Sequence, residues 1–377
     1  MSKNHYDYII CGGGASGLLL AYRICNDAYF KDRSILLIEK DIKNTNDRTW
    51  CFWESGEGDL EELVHKSWDQ AYFSADAFEL DFSLQPFRYK MIRSLDFYKS
   101  MNNKLAKFDQ LTQIKAKVSS IDENLVTTEV QSYHGDLVFS SIYNPKSITQ
   151  QKKHPVLLQH FVGQVVQTQN PCFDPGRIEF MNFNVPQKGN TRFMYVLPLG
   201  SNKALLEYTL FSENVLERIE YLDAIAAFLK ELPTGDYEII EEEEGKIPMT
   251  CYRFDLKNSS KILHIGTAGG WTKPSTGYAF QRINEKTKEL VEFLKKGQPL
   301  SQFGKRDRFW FYDLLFIDVL AKDNAHGADL FKRMFKKNSP EVIFRFLDEK
   351  SSLWQEFQIM RSFNVRQFVN ALWKRIF

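Results

Sequence analysis

The run YDYIICGGGASG (Tyr6–Gly17) joins a greasy strand to a glycine turn, and LLLAYRICNDAYF follows it at helical spacing. Gly12, Gly14 and Gly17 stand in the spacing GxGxxG. The first allows a tight turn, the second lets a phosphate approach the backbone, and the third lets the helix pack on the strand. The N-terminus of the helix that follows offers free N–H groups and a positive dipole end to the phosphates. SILLIEK then gives a second buried strand, ending at Glu39, about 20 residues beyond the turn, where an acid can hold a ribose hydroxyl pair. A glycine turn alone is a weak signal. Strand, turn, helix and acid together predict a βαβ unit that binds a dinucleotide. A free acid at Glu39 favours an unmodified ribose 2′-OH, hence FAD or NAD over NADP at this site.

Bulk properties narrow the rest. With 377 residues the chain is long enough for two lobes or one large interleaved domain. Its formal net charge of +1 offers no field for nucleic acid. The five cysteines are scattered and form no CxxC pair, which fits reduced thiols in a cytoplasmic protein. The seven histidines show no metal-ligand spacing, so no metal is expected. The N-terminus carries charges and a strand where a signal peptide would need an apolar stretch, and no apolar run is long enough to span a bilayer.

From about residue 125 to 250, short alternating runs follow one another: LVFSSIY, HFVGQVVQT, RIEFMNFNV, RFMYVLPL and KALLEYTLF. Alternation with frequent turns predicts an antiparallel sheet. In the last of these runs Glu207 shares a face with Leu205, Thr209 and Phe211, since strand side chains alternate. A carboxylate on a greasy face is either a solvent-facing residue or a functional one. Glu241–Glu244 is expected to be a solvated strand or loop. KILHIGTAGG returns to strand and glycine turn, and residues 300–377 have helical spacing. The expected class is α/β (α+β): a Rossmann-type dinucleotide domain (1–60, 90–150 and 255–300), an inserted antiparallel sheet for substrate (60–90 and 150–254), and a helical C-terminal region (301–377).

Four further stretches sharpen this: NDRTWCFWE (46–54), RFMYVLPLGSNKALLEYTLF, GKIPM (245–249) and IGTAGGWTKPSTGYAFQRI (265–283). In this order and spacing they resemble the flavoprotein lycopene cyclases of carotenoid synthesis, of the β-cyclase type. The resemblance runs from about residue 6 to about 320. It implies a reduced FAD cofactor, NAD(P)H as reductant, and lycopene or a related linear carotenoid as substrate, cyclised to β-ionone rings without net redox change. It implies FAD contacts from Arg48, Gly266, Pro274, Thr276 and Gly277, beside Gly12, Gly14, Ala15, Gly17 and Glu39. It places Trp50, Phe52, Trp53, Leu205 and Tyr208 near substrate and Glu207 at the catalytic position. Two departures stand out. Gly266-Thr267 occupies the place where the wider flavoprotein class carries Gly-Asp, a difference the cyclases share. The acidic motif of the family, Leu-Glu-Glu-Thr-like, is here Leu206-Glu207-Tyr208-Thr209, with only the first acid kept.

The chemistry so implied needs an acid able to protonate an alkene, in a site that excludes water and tolerates a cation. A carboxyl among apolar groups meets the first need, because desolvation disfavours its charged form. Glu54 is the next acid to consider. The C-terminal FQIMRSFNVRQFVNALWKRIF is a basic amphipathic stretch that either lies on a membrane surface or docks on the protein. A peripheral protein on the inner face of the membrane is expected. The competing readings are a redox flavoenzyme of the same fold, such as a polyprenyl reductase or monooxygenase, and a non-catalytic carotenoid-binding protein.

Overall fold

A computed structural model describes residues 4–304 and 306–376. Ile9 and Ile10, with no exposed surface, lie in a strand, His5–Cys11, paired in parallel on both sides: with Ile35–Glu39 and with Ser132–Ser140. Such two-sided burial is why the sequence there reads as a continuous apolar run. The sheet grows outward to Leu111–Lys115 on one side. On the other it meets the antiparallel strands Leu125–Thr128 and Val118–Asp122, with Ile262–His264 also pairing Ser132–Ser140. LVFSSIY therefore belongs to this first sheet rather than the middle one. Its residues pair in parallel with the first strand, and alternation alone cannot distinguish the two partners.

The helix Ala15–Asn26 packs on this sheet and against the helix Phe280–Leu294. A second seven-stranded sheet follows the order Tyr237–Met249, Leu157–Thr168, Lys203–Ser212, Thr191–Gly200, Arg177–Asn182, Gln70–Ala75, Phe78–Ser83. It is antiparallel apart from the pairing of Arg177–Asn182 with Gln70–Ala75. The strands Thr49–Ser55, Phe87–Arg93 and Val64–Trp68 form a small third sheet that sequence patterning did not separate.

Helices Arg308–Lys322, Gly327–Lys337, Pro340–Leu347, Leu353–Met360 and Val365–Ile376 close the chain. Phe331 stacks on Phe183 at 5.6 Å and Phe335 on Phe73 at 4.3 Å, so the second of these helices roofs the middle sheet. One face of that sheet thus builds a core with the C-terminal helices. The other face packs under the helix Arg218–Lys230 through Tyr208, Tyr221 and Ile225. No helix of the described residues is long and apolar enough to cross a membrane.

Candidate active site

The glycine turn has the geometry its spacing predicts. Gly12 adopts φ +105°, a conformation open to glycine, and a Cβ on Gly17 would fall 1.9 Å from the Gly12 carbonyl oxygen. Gly14 differs: a Cβ there would meet nothing within 4 Å, so the space before the helix is open. Glu39 reaches back to the turn, accepting from Gly13 N–H at 2.5 Å and from Asp41 N–H at 2.9 Å. The second glycine turn abuts the first, since a Cβ on Gly266 would lie 2.6 Å from Ser16 Oγ.

A cavity of about 480 Å³ begins at Gly14, Ala15 and Ser16 and runs past Arg48, Trp50, Thr276 and Gly277 to the middle sheet. Two polar atoms on its wall, Thr276 Oγ1 and Gln159 Oε1, are buried with no hydrogen-bond partner among the described residues. Open space at the turn, a free helix end and unpartnered donors and acceptors further in suit a long polar cofactor laid from Gly14 toward Gly277. Gly266 and Pro274 do not line this cavity. Gly266 holds the two turns together, and Pro274 lies beside a separate, smaller cavity with Trp271 and Arg282.

At the far end, the sheet sets three strands side by side. Gly163, in the middle strand, is paired across to Glu207 on one side and to Glu243 on the other. A Cβ on Gly163 would come 2.9 Å from Glu207 Cγ and 3.2 Å from Glu243 Cγ. The missing side chain lets the two carboxylates lean over the middle strand and meet. Glu207 is 8% exposed, and Glu243 is the charged neighbour that acts on it. Burial first, and then the charge of Glu243, raises the Glu207 carboxyl well above the usual carboxylate range. Glu243 Oε2 accepts from Thr49 Oγ1 at 2.7 Å, while its Oε1 is buried without a donor.

Across from Glu207 in the next strand is Tyr195. Its hydroxyl donates to Tyr89, whose hydroxyl meets that of Tyr278 at 2.8 Å. Burial raises the pKa of all three phenols, so they stay neutral, and their rings line the cavity with Phe180, Phe193 and Phe211. The site therefore joins an acid of raised pKa to a wall of aromatic faces and neutral hydroxyls.

Several expected positions land elsewhere. Tyr208 points to the opposite face of the sheet, where its ring packs near Tyr221 and its hydroxyl accepts from Arg192. Strand alternation forbids it from sharing the cavity with Glu207. Leu205 shares the face of Glu207 but lies further along the strand, in the core outside the main cavity. Trp50 lines the cavity, stacked 4.9 Å from Phe280. Phe52 and Trp53 do not: Phe52 packs on Phe280, and Trp53 between Tyr278 and Phe344. Glu54 is held by Lys90 and Gln281, away from the cavity.

Glu243 was the residue that sequence reasoning missed, hidden in an acid run taken as solvated. The run alternates. Glu242 and Glu244 pair with Arg218 on one face, while Glu241 and Glu243 turn to the other. Among the described residues no group of three or more His, Cys, Asp or Glu could hold a metal.

No curated protein matches the sequence. The fold is shared widely among solved structures. A geranylgeranyl bacteriochlorophyll reductase-like protein from Thermoplasma acidophilum aligns over 98% of this chain and 96% of its own, at 13% identity and a TM-score of 0.58. The p-nitrophenol 4-monooxygenase of Pseudomonas putida aligns over 97% and 98%, at 11% identity and a TM-score of 0.59. A flavin-dependent brominase aligns over 98% and 99%, at 14% identity and a TM-score of 0.55. At such identities the likeness is one of fold. The sequence itself is more specific: residues 7–373 match the family described as lycopene cyclase protein, so nearly the whole chain, carboxylate site included, belongs to the lycopene cyclase family.

Proposed function

We propose that the protein is a lycopene β-cyclase, a non-redox flavoprotein isomerase that turns the linear ends of lycopene into β-ionone rings. The observation that carries this reading is Glu207: a buried carboxyl of raised pKa facing an aromatic cavity in a chain of this family. Such a carboxyl remains an acid near neutral pH and can donate to an alkene. Protonation gives a tertiary cation, a second double bond of the same chain closes the ring, and loss of a ring proton restores neutrality. Atoms and electrons balance within the substrate.

The protein's part is to supply the proton, exclude water and face the cation with electron-rich groups. Tyr89, Tyr195 and Tyr278 offer ring faces to positive charge. Phe331, Met334 and Phe335, from the roofing helix, exclude water from above. FAD would be held by the turn Gly12–Gly17, Glu39, Arg48, Thr276 and Gly277, with NAD(P)H keeping it reduced. When bound and reduced, the flavin supplies a further electron-rich face for the cation.

Lycopene is insoluble in water, so the protein must meet a membrane. The proposed contact is a peripheral one, on the inner face. Leu353, Trp354, Phe357 and Met360 are exposed on one helix, and Val365, Val369 and Trp373 on the next, beside exposed Arg361, Arg366 and Lys374. Trp354 is 65% exposed and Trp373 64%. Aromatic and apolar groups with nearby cations suit an anionic lipid surface.

The second reading is a redox enzyme, favoured by a fold shared with a reductase-like protein and a monooxygenase. Expression in cells that accumulate lycopene, with chromatography of the pigments, separates them. Cyclic isomers of unchanged mass are expected. Hydrogenated or oxygenated carotenoids would overturn the cyclase reading.

A further inference from the structure

Gly163 has no side chain at the one place where a side chain would keep Glu207 and Glu243 apart. Glycine weakens a strand interior, and here it sits within a 12-residue strand between two others. A close approach from both neighbours explains it. The two carboxyl groups also solve each other's deficits. Glu243 Oε1 is buried without a donor among the described residues, and the carboxyl that leans over Gly163 beside it is that of Glu207. Two bare carboxylates side by side in a cavity repel, and Thr49 satisfies only one of the Glu243 oxygens. One proton between them removes the repulsion and satisfies the orphaned oxygen.

We propose that Glu207 and Glu243 act as a pair that shares one proton across Gly163, with Glu207 giving the proton to the alkene and Glu243 taking the ring proton. The inference rests on the cyclase reading and adds a second catalytic residue to it. Three steps close the cycle. The Glu207 O–H bond breaks as a C–H bond forms on the substrate, leaving both carboxylates charged beside the cation. The ring closes, and the C–H bond next to the cation then breaks, its electron pair forming the ring double bond and its proton going to Glu243. That proton returns to Glu207 through their contact. No proton or electron is gained or lost, so the pair is ready for a second ring without recourse to solvent. Thr49, which donates to Glu243 Oε2, is the positioning residue: it occupies that oxygen and leaves Oε1 for the shared proton.

The test compares Glu243→Gln, Gly163→Ala and Glu207→Gln in the full-length, flavin-loaded protein with lycopene in liposomes. Glu243→Gln is close to isosteric and should keep its flavin. Ring formation should fall at least about 10²-fold, the usual scale for a positioned acid–base group. The double variant with Glu207→Gln should be little worse than the poorer single, because the pair works as a unit. The residual activity of Glu243→Gln carries a second signature. Removing a negative charge beside Glu207 lowers the pKa that this charge raises, so the alkaline limb of the rate profile should move to lower pH. Gly163→Ala retains both acids but wedges them apart, and should lose activity while keeping its flavin. The proposal is overturned if Glu243→Gln stays within about threefold of wild type while Glu207→Gln is inactive, or if its alkaline limb does not move. In either case the cyclase reading survives. Normal rates in both single variants would instead remove the acid site on which that reading rests.

Discussion

At the scale of single residues, Glu207 was legible because a carboxylate on a greasy strand face asks for a reason, and the family motif gave one. Its partner was not. Glu243 sits among four consecutive acids, and charge runs are usually solvated. What assigns it is the register that pairs it with Gly163, across from Glu207, which sequence does not show. Tyr208 failed for the opposite reason: proximity in sequence to Glu207 outweighed the alternation that sends it to the other face. Glu207→Gln keeps size and polarity but removes the transferable proton. Ring formation should drop by at least about 10²-fold with flavin content intact, measured by chromatography of product and absorbance of bound flavin. Glu213, exposed just past the same strand, provides the control, and Glu213→Gln should match wild type. Equal rates in both variants would make Glu207 a structural carboxyl.

At the scale of elements, the glycine turn was the clearest signal: Gly12 and Gly17 each meet a separate steric demand, and Gly14 fronts open space. The second glycine turn was located, but its anchoring was not. Lys273 is buried and reaches Asp313 at 2.9 Å and Glu349 at 3.1 Å, pinning that turn to the C-terminal helices. Removing one partner of such a pair costs about 3–5 kcal/mol. The last helix docks one face on the protein and leaves the other exposed. Phe368 stacks on Phe363, Ala371 is buried, and Arg375 grips Asp318 with two bonds of 2.6 Å, so one face is docked. Val365, Val369 and Trp373 remain on the outer face. Replacing Val365 and Val369 with Ser should therefore reduce sedimentation with anionic vesicles while leaving the melting temperature nearly unchanged, because the docked face is untouched. Unchanged vesicle binding would move the membrane contact to another surface.

At the scale of the whole molecule, one cavity runs from the nucleotide turn to the carboxylate pair, and three sheets and the C-terminal helices each contribute a wall. Sequence patterning captured the two large sheets and the helical end. It missed the small third sheet, because residues 60–100 are dense in aromatics that serve both the core and the cavity. The shared fold places redox enzymes and this family on one scaffold, so scaffold alone does not name the reaction. What separates them is the balance of electrons. The purified, flavin-loaded protein should be given lycopene in liposomes and NADH or NADPH without oxygen, with rings formed and nicotinamide oxidised counted together. Many rings for each nicotinamide consumed, with product of unchanged mass, is the result expected of a cyclase that only keeps its flavin reduced. One nicotinamide oxidised for every product molecule would contradict it.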